Sequence, residues 1–420
     1  MREMKDSGIE WIGEIPKEWK IDKIKYHLKR NEPKNHGNAI VLSVYRDYGV
    51  IPKDSRDDNH NVTSEDTSKY KYVKKGQLVI NKMKAWQGSL AVSDYNGIVS
   101  PAYFIYDFTD EEYNHKYFHY LVRSCYKEEF KRISGGIREG QWDLSPEAFA
   151  NTLALLPPLV EQKYIANYLD IQCSEIDATA EDIQKEISLL EEYKKSVITE
   201  AVTKGLNPDA EMKDSGIAWI GEIPKDWKVD KIKYHLKRNE PKNPGNAIVL
   251  SVYRDYGVVP KDSRDDNHNV TSEDTSKYKY VKKGQLVINK MKAWQGSLAV
   301  SDYDGIVSPA YFIYDFIDEE YNHKYFHYLV RSCYKEEFKR ISGGIREGQW
   351  DLSPEGFSNT LVLLPSIEEQ NEILDYILQK EIEIDAIIAD KKRQRGILTE
   401  YKKSLIYEYV TGEKEVPVHE

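Results

Sequence analysis

Residues 4–158 of this 420-residue chain recur as residues 212–366, in a register of 208 residues held without insertion, and only eleven of the 155 aligned positions differ. A chain built this way must form the same core twice and offer the same surface chemistry twice. The differences are mild, as in Glu18 to Asp226, Ile21 to Val229, Ile51 to Val259 and Asn96 to Asp304, or fall at expected loop sites such as His36 to Pro244. Identity fades after each copy, in 159–211 and 367–420, where the register continues in a different sort of segment. The plan is module (1–158), helix (159–211), module (212–366), helix (367–420).

Each module is long enough to bury its own core. The opening Met1-Arg-Glu-Met-Lys-Asp has no apolar run of the signal-peptide kind, and no stretch of 18 apolar residues occurs, so cytoplasm is the expected location. Three cysteines, Cys125 with its copy Cys333 and Cys173, suit reduced thiols and suggest neither a disulfide nor a zinc framework. The net charge of −10 divides unevenly: each module carries +1, whereas the segments 159–211 and 367–420 carry −7 and −5. The acidity therefore belongs to the helices and does not argue against DNA contact by the modules.

Each module opens with a turn between tryptophans, Trp11 to Trp19 and Trp219 to Trp227. Runs of β-branched and aromatic residues predict strands at 39–45, 70–73, 77–80 and 89–92, with 53–69 an exposed polar loop. Helical spacing of Tyr117, Leu121 and Cys125 predicts one amphipathic helix over 111–133, ended by Gly135-Gly136. Ser145-Pro146-Glu147 reads as the capped start of a short helix. From Leu159 to Val202 there is no Gly or Pro; Leu169, Ile176, Ile183, Leu190 and Val197 repeat at seven, with Cys173, Ala180, Ile187 and Ala201 at the second core position. This predicts a coiled-coil seam roughly 60 Å long at 1.5 Å per residue. The last segment keeps Ile377, Ile384, Leu398 and Leu405, but Lys391 and Arg395 interrupt its seam, so the partner must accommodate them differently. Antiparallel pairing of the two helices is expected, which would close the chain into a ring and relate the copies by an approximate two-fold axis.

Catalytic motifs are missing. There is no GxxxxGK[ST] loop, no GxGxxG and no Asn-Pro-Pro-Tyr-like methyltransferase motif. Pro208-Asp-Ala-Glu-Met-Lys213 reads as a linker, since Asp209 and Glu211 are too close in sequence to span the strand and turn of a nuclease site. His115 and His119, four apart on a helix, have the spacing of zinc ligands but no nearby Glu or Cys; partly exposed surface histidines are the plainer reading.

Three stretches suit nucleic-acid contact. In 79–88, Lys82 and Lys84 offer phosphate anchors, and Trp86 and Gln87 an aromatic face and an amide for a base edge, on a glycine-bounded loop. In 133–142, glycines permit close backbone approach while Arg138 and Gln141 supply planar donors. Tyr45 and Arg46, with Arg56, Asn59 and His60 in the adjacent loop, make the third. The second copy repeats them as Tyr253, Arg254, Arg264, Asn267, Lys290, Lys292, Trp294, Gln295, Arg346 and Gln349. The bland alternatives are a solvated lysine hairpin and a turn with Trp142 in the core. Thirty-one tyrosines also suit a tandem ligand-binding protein of the carbohydrate type, with no methyltransferase partner.

Taken together, Trp11 to Trp19, Gly76 to Gly88 with Val99-Ser-Pro101, Gly135 to Leu144, Leu156-Pro157 through Glu161-Gln162, and Leu190 to Thr203 resemble the specificity subunit of type I restriction-modification systems, over essentially the whole chain. The resemblance implies an α+β fold: two near-identical mixed α/β target-recognition domains, separated and followed by long α-helices that pair as an antiparallel coiled coil with pseudo-two-fold symmetry. It implies that each domain reads half of a bipartite double-stranded DNA target. The helices would dock two methyltransferase subunits, and restriction subunits would join them. Such a subunit is not an enzyme and holds no cofactor; S-adenosylmethionine and ATP belong to its partners. The family's two recognition domains normally differ, whereas here they are nearly equal, so an interrupted palindrome is expected, its half-sites within about two turns of B-DNA at roughly 34–36 Å per turn.

Overall fold

The computed structural model describes residues 2–34, 37, 39–46, 48–55, 66–135, 142–245, 247–254, 256–263, 274–344 and 350–417. The chain divides into two compact units, Met1–Gln184 with Arg393–Glu420, and Lys185–Lys392.

In the first unit a hairpin of β1 (Met4–Asp6) and β2 (Glu14–Pro16) leads to β3 (Lys20–Lys23), β4 (Leu28–Arg30), a hairpin of β5 (Leu42–Tyr45) and β6 (Gly49–Pro52), then β7 (Lys71–Val73), β8 (Leu78–Asn81), β9 (Leu90–Val92), β10 (Gly97–Val99) and β11 (Tyr103–Phe108). Then come α1 (His115–Ser124), α2 (Lys127–Arg132), the short pair β12 (Ser134–Gly135) and β13 (Asp143–Leu144), α3 (Pro146–Asn151), β14 (Leu153–Leu156) and α4 (Leu159–Lys204). The central antiparallel sheet has the order β4-β11-β8-β9, and β14 pairs with β3.

The run Leu78-Val79-Ile80 is apolar at every position because both faces of the sheet are covered. Leu78, Ile80, Leu90, Phe104 and Tyr106 face a core with Trp19, Tyr117, Phe118, Leu121, Phe130 and Phe149. Val79, Ala91 and Ile105 face a smaller core with Leu42, Val44, Val50, Val73 and Val99. The expected strands are all present, their ends shifted by one to three residues. Ser145 caps α3 as expected, its side chain accepting the Ala148 N–H.

The single helix expected over 111–133 is instead two. α1 ends at Ser124, and Tyr126, at φ −103° and ψ 7°, starts α2 outside the helical path. The cause is packing: Tyr126 is fully buried, 6.0 Å from the Trp11 ring and 5.9 Å from Phe130, a position that a continuous helix would not give it.

The Leu-Pro-x-x-x-Glu-Gln stretch now has a physical account. Gln162 is fully enclosed; its Nε2 donates to the carbonyls of Glu112 (2.8 Å) and Pro157 (2.8 Å), and its Oε1 accepts the Asn114 N–H (2.8 Å). Glu161 accepts the Trp19 indole N–H at 2.9 Å. One helix turn thus fastens α4 to the module. Gln162→Leu leaves three backbone groups without partners and is expected to cost about 3 kcal/mol or more. Thermal unfolding of the first unit would show it, and an unchanged transition would refute the account.

The second unit repeats the module, with α5 (His323–Cys333), α6 (Lys335–Arg340) and α7 (Pro354–Asn359) matching α1 to α3, and holds the first part of α8 (Ile367–Val410), whose end from Arg393 on belongs to the first unit. In the first unit Tyr168 meets Tyr409 (centroids 4.7 Å), Asp177 meets Lys402 (2.6 Å) and Gln184 meets Arg395 (2.7 Å), so α4 and α8 run antiparallel. In the second unit Glu186 pairs with Lys391 (2.6 Å) and Lys194 with Asp385 (2.8 Å), in the same sense. The two cations that break the heptad seam, Lys391 and Arg395, are thus met by a carboxylate and an amide.

Candidate nucleic-acid interface

The loop after β8 is held from beneath. Asn81 Oδ1 accepts the Met83 N–H (3.2 Å), and Ala85, fully buried, pins a short 3-10 turn. Gly88 closes the turn at φ +88°, its N–H donating to the Ala85 carbonyl at 2.8 Å. This conformation suits glycine, and space demands it too: a Cβ there would stand 2.9 Å from Lys127 Cε and 3.8 Å from Arg46 Cγ. The turn leaves Met83, Lys84 and Gln87 exposed. Lys84 forms no ion pair among the described residues, so its charge faces water.

The expected residues take different roles. Lys82, read as a phosphate anchor, holds Asp143 at 2.8 Å, and its carbonyl accepts the Leu144 N–H, so it straps the loop to the segment after 141. Trp86 donates its indole N–H to the Met83 carbonyl (3.2 Å), and its ring lies 4.9 Å from Trp142 at 56°. Trp142 is half-exposed rather than a core residue, with Lys131 Nζ 5.8 Å above its ring. Tyr45 is half-buried with its Oη enclosed, and so offers no surface hydroxyl. Arg46 is exposed at the turn after β5, and its carbonyl accepts Arg123 Nη2 at 2.5 Å.

Arg46, Lys84, Gln87 and the Trp86–Trp142 pair are therefore brought together around Gly88. In the second unit Arg254, Lys292, Gln295, Trp294 and Trp350 surround Gly296 likewise, with Lys290 paired to Asp351 at 2.8 Å and Tyr253 half-buried like Tyr45. Arg56, Asn59, Arg138 and Gln141, and their copies Arg264, Asn267, Arg346 and Gln349, lie outside the described residues. Lys127 and Arg123, with Lys335 and Arg331, were missed by the sequence reading. Arg123, near the end of α1, lies beside Gly49, and Lys127, at the start of α2, lies against Gly88.

His115 is exposed and His119 half-buried, in keeping with partly exposed histidines rather than zinc ligands. His115 stacks on Phe108 at 4.1 Å, and the half-buried His119 accepts the Val92 N–H with its Nδ1 at 3.3 Å. Burial, with Arg123 beside the ring, pushes the His119 pKa down to about 3, and His327 behaves alike. The folded state resists protonation that the unfolded chain accepts at about 6.5, so this stability is full above about pH 6.5 and is lost as pH falls toward 3. Lowering pH from 7 to 5 is expected to cost each unit about 2 kcal/mol through this one ring. His119→Asn, which keeps an acceptor for Val92, should flatten the pH dependence of urea unfolding in the first unit. Identical slopes in variant and parent would refute the assignment.

No protein-family model matches the sequence. The chain is 24% identical over 426 residues to the type I restriction enzyme MjaVIII specificity subunit of Methanocaldococcus jannaschii, covering 95% of this chain and 93% of that protein. Its fold is similar to that of the HsdS subunit from Thermoanaerobacter tengcongensis, with a TM-score of 0.52, 14% identity, and coverage of 95% and 98% of the two chains. It is also similar to a chain in a structure concerned with complex assembly and conformational transition of the type I restriction-modification system, with a TM-score of 0.62, 13% identity, and coverage of 95% and 99%. In its duplicated modules, its paired long helices and an end-to-end sequence likeness, the chain is similar to the specificity subunits of type I restriction-modification systems.

Proposed function

We propose that this chain is the non-catalytic subunit that gives such a system its DNA specificity, each module reading one half of a bipartite target. The observation that carries the reading is the cluster around Gly88 and Gly296, where exposed Arg46 and Lys84 flank an exposed amide, Gln87, beside paired tryptophans. Cations position a module on phosphates, and a planar amide donor and acceptor suits a base edge. None of the eleven differences between the copies falls in 45–46, 82–88, 123–131 or 142–144. Two equal surfaces read the same half-site, and an interrupted palindrome is the target that serves both.

The helices carry the other half of the proposal, the docking of two methyltransferase subunits, with restriction subunits joining them. Leu189 and Tyr193 are 64% and 55% exposed on α4, and the residues 208 further on, Ile397 and Tyr401, are 61% and 51% exposed on α8. A repeated apolar pair on acidic helices is a surface for protein rather than for DNA. S-adenosylmethionine and ATP would be bound by those partners. The test is adenine-methylation mapping by single-molecule sequencing in a methylation-free host that expresses the chain with its neighbouring methyltransferase. Inverted identical half-sites are the expected result; unlike halves would overturn the equivalence of the modules, and no methylation by an active, co-purifying partner would overturn the function.

A further inference from the structure

One cluster lies apart from both surfaces. His27 follows a short 3-10 turn after β3, with its side chain only 4% exposed. Its Nδ1 is 2.9 Å from Asp110 Oδ2 and 3.7 Å from Glu112 Oε2, both on the loop between β11 and α1. Its Nε2 is buried, makes no hydrogen bond, and points at Asp22 Oδ2 3.5 Å away. The second unit repeats this, with His235 Nδ1 2.8 Å from Asp318 and 3.6 Å from Glu320, and Nε2 3.6 Å from Asp230.

Three carboxylates thus converge on one enclosed ring. A neutral imidazole that donates from Nδ1 to Asp110 turns a bare Nε2 lone pair toward the Asp22 carboxylate, a buried acceptor facing an anion. A cation on the Nδ1 side removes the conflict. Nδ1, Asp110 and Glu112 then offer their lone pairs to it, and the proton moves to Nε2 and faces Asp22, the carboxylate–histidine–metal order in which an outer carboxylate fixes the tautomer. Bonds of about 2.0–2.1 Å in tetrahedral geometry separate neighbouring ligand atoms by roughly 3.3 Å. The two distances from Nδ1 straddle that value.

We infer that His27, Asp110 and Glu112 form a site for a divalent transition metal of the zinc type, and that His235, Asp318 and Glu320 form a second. One nitrogen and two carboxylate ligands leave a position for water, and the partly exposed carboxylates keep the site open to solvent. The ion braces the join between module and helix, since the Glu112 carbonyl is itself held by Gln162 of α4. The test is uptake of Zn2+ alone by full-length protein first dialysed against chelator, measured by calorimetry and elemental analysis. Two ions per chain are expected, one after Asp110→Asn with Glu112→Gln, and none when Asp318→Asn and Glu320→Gln are added. These carboxylates are partly exposed, and an unchanged far-ultraviolet dichroism spectrum verifies that the variants fold. Should the parent take up no Zn2+, or the fourfold variant still bind two ions, the ring is an imidazolium held between carboxylates and the inference is overturned.

Discussion

Deletion of residues 405–420 is expected to unfold the first unit and leave the second folded. The end of α8 is part of the first module's core: Leu405, Tyr409 and Val410 are at most 6% exposed and pack in one cluster with Trp19, Tyr117 and Phe149. Tyr117 Oη donates to the Val410 carbonyl at 2.9 Å. Gly412, at φ +77°, lets the chain leave the helix so close to the module that a Cβ would sit 2.5 Å from Pro16 Cδ. Losing three buried side chains of this size, at about 2–5 kcal/mol each, removes roughly 6–15 kcal/mol from a unit whose total stability is on the order of 5–15 kcal/mol. The second unit draws on the end of α4 instead, where Ala201 and Val202 are buried and the Val202 carbonyl accepts Tyr325 Oη at 3.2 Å. Hydrogen exchange read by mass spectrometry separates the two: protection should vanish across 4–156 and persist across 212–364. Retained protection in both would mean that the helix end is dispensable packing.

That dependence was legible in the residues, though not in the heptads. Val202-Thr203 and Val410-Thr411 are the same dipeptide at the same place in the repeat, each followed within two residues by glycine, and both threonines are buried. A seam predicted from period seven ends where its last core residue ends, so it says nothing of a terminus that leaves the seam to enter a module. The strands were legible because Leu78-Val79-Ile80 is buried on both faces and its flanking turns carry glycine. The break between α1 and α2 was not, because Cys125 and Tyr126 keep helical spacing and only the tertiary demand of the Trp11–Tyr126–Phe130 cluster draws the chain aside. The candidate site suffered from the same blindness to distance. Lys82 and Asp143 are 61 residues apart, so no local pattern marks the lysine as spoken for, whereas Lys84, two residues on, keeps its charge for a ligand.

The difference between these two lysines carries the second large effect. Replacing Arg46 and Lys84 by Ala, together with Arg254 and Lys292, is expected to abolish methylation of the target while the subunit still co-purifies with its methyltransferase. Each cation that neutralises a phosphate contributes about 0.9 to the slope of log affinity against log salt, so the loss of Lys84 and Lys292, which form no ion pair among the described residues, should by itself lower the slope by roughly 2 units. Changing one module alone should lose about half of that, and affinity should fall by a similar factor for cognate and unrelated DNA, because phosphate contacts carry no sequence information. Gln87→Ala is the counterpart, expected to leave the slope intact and relax the preference at one base pair of one half-site, at about 1–3 kcal/mol of discrimination. Lys82→Ala should leave the slope intact too, since its charge is already matched by Asp143, and should act only by loosening the loop. Titrating each variant against DNA over a range of salt, by fluorescence anisotropy of the assembled complex, distinguishes these cases. If Lys82→Ala lowered the slope as much as Lys84→Ala, the ion pair would open on DNA and the division of labour around Gly88 would be wrong. If the fourfold variant lost its methyltransferase instead of its salt dependence, the modules rather than Tyr193 and Tyr401 of the helices would be the docking surface.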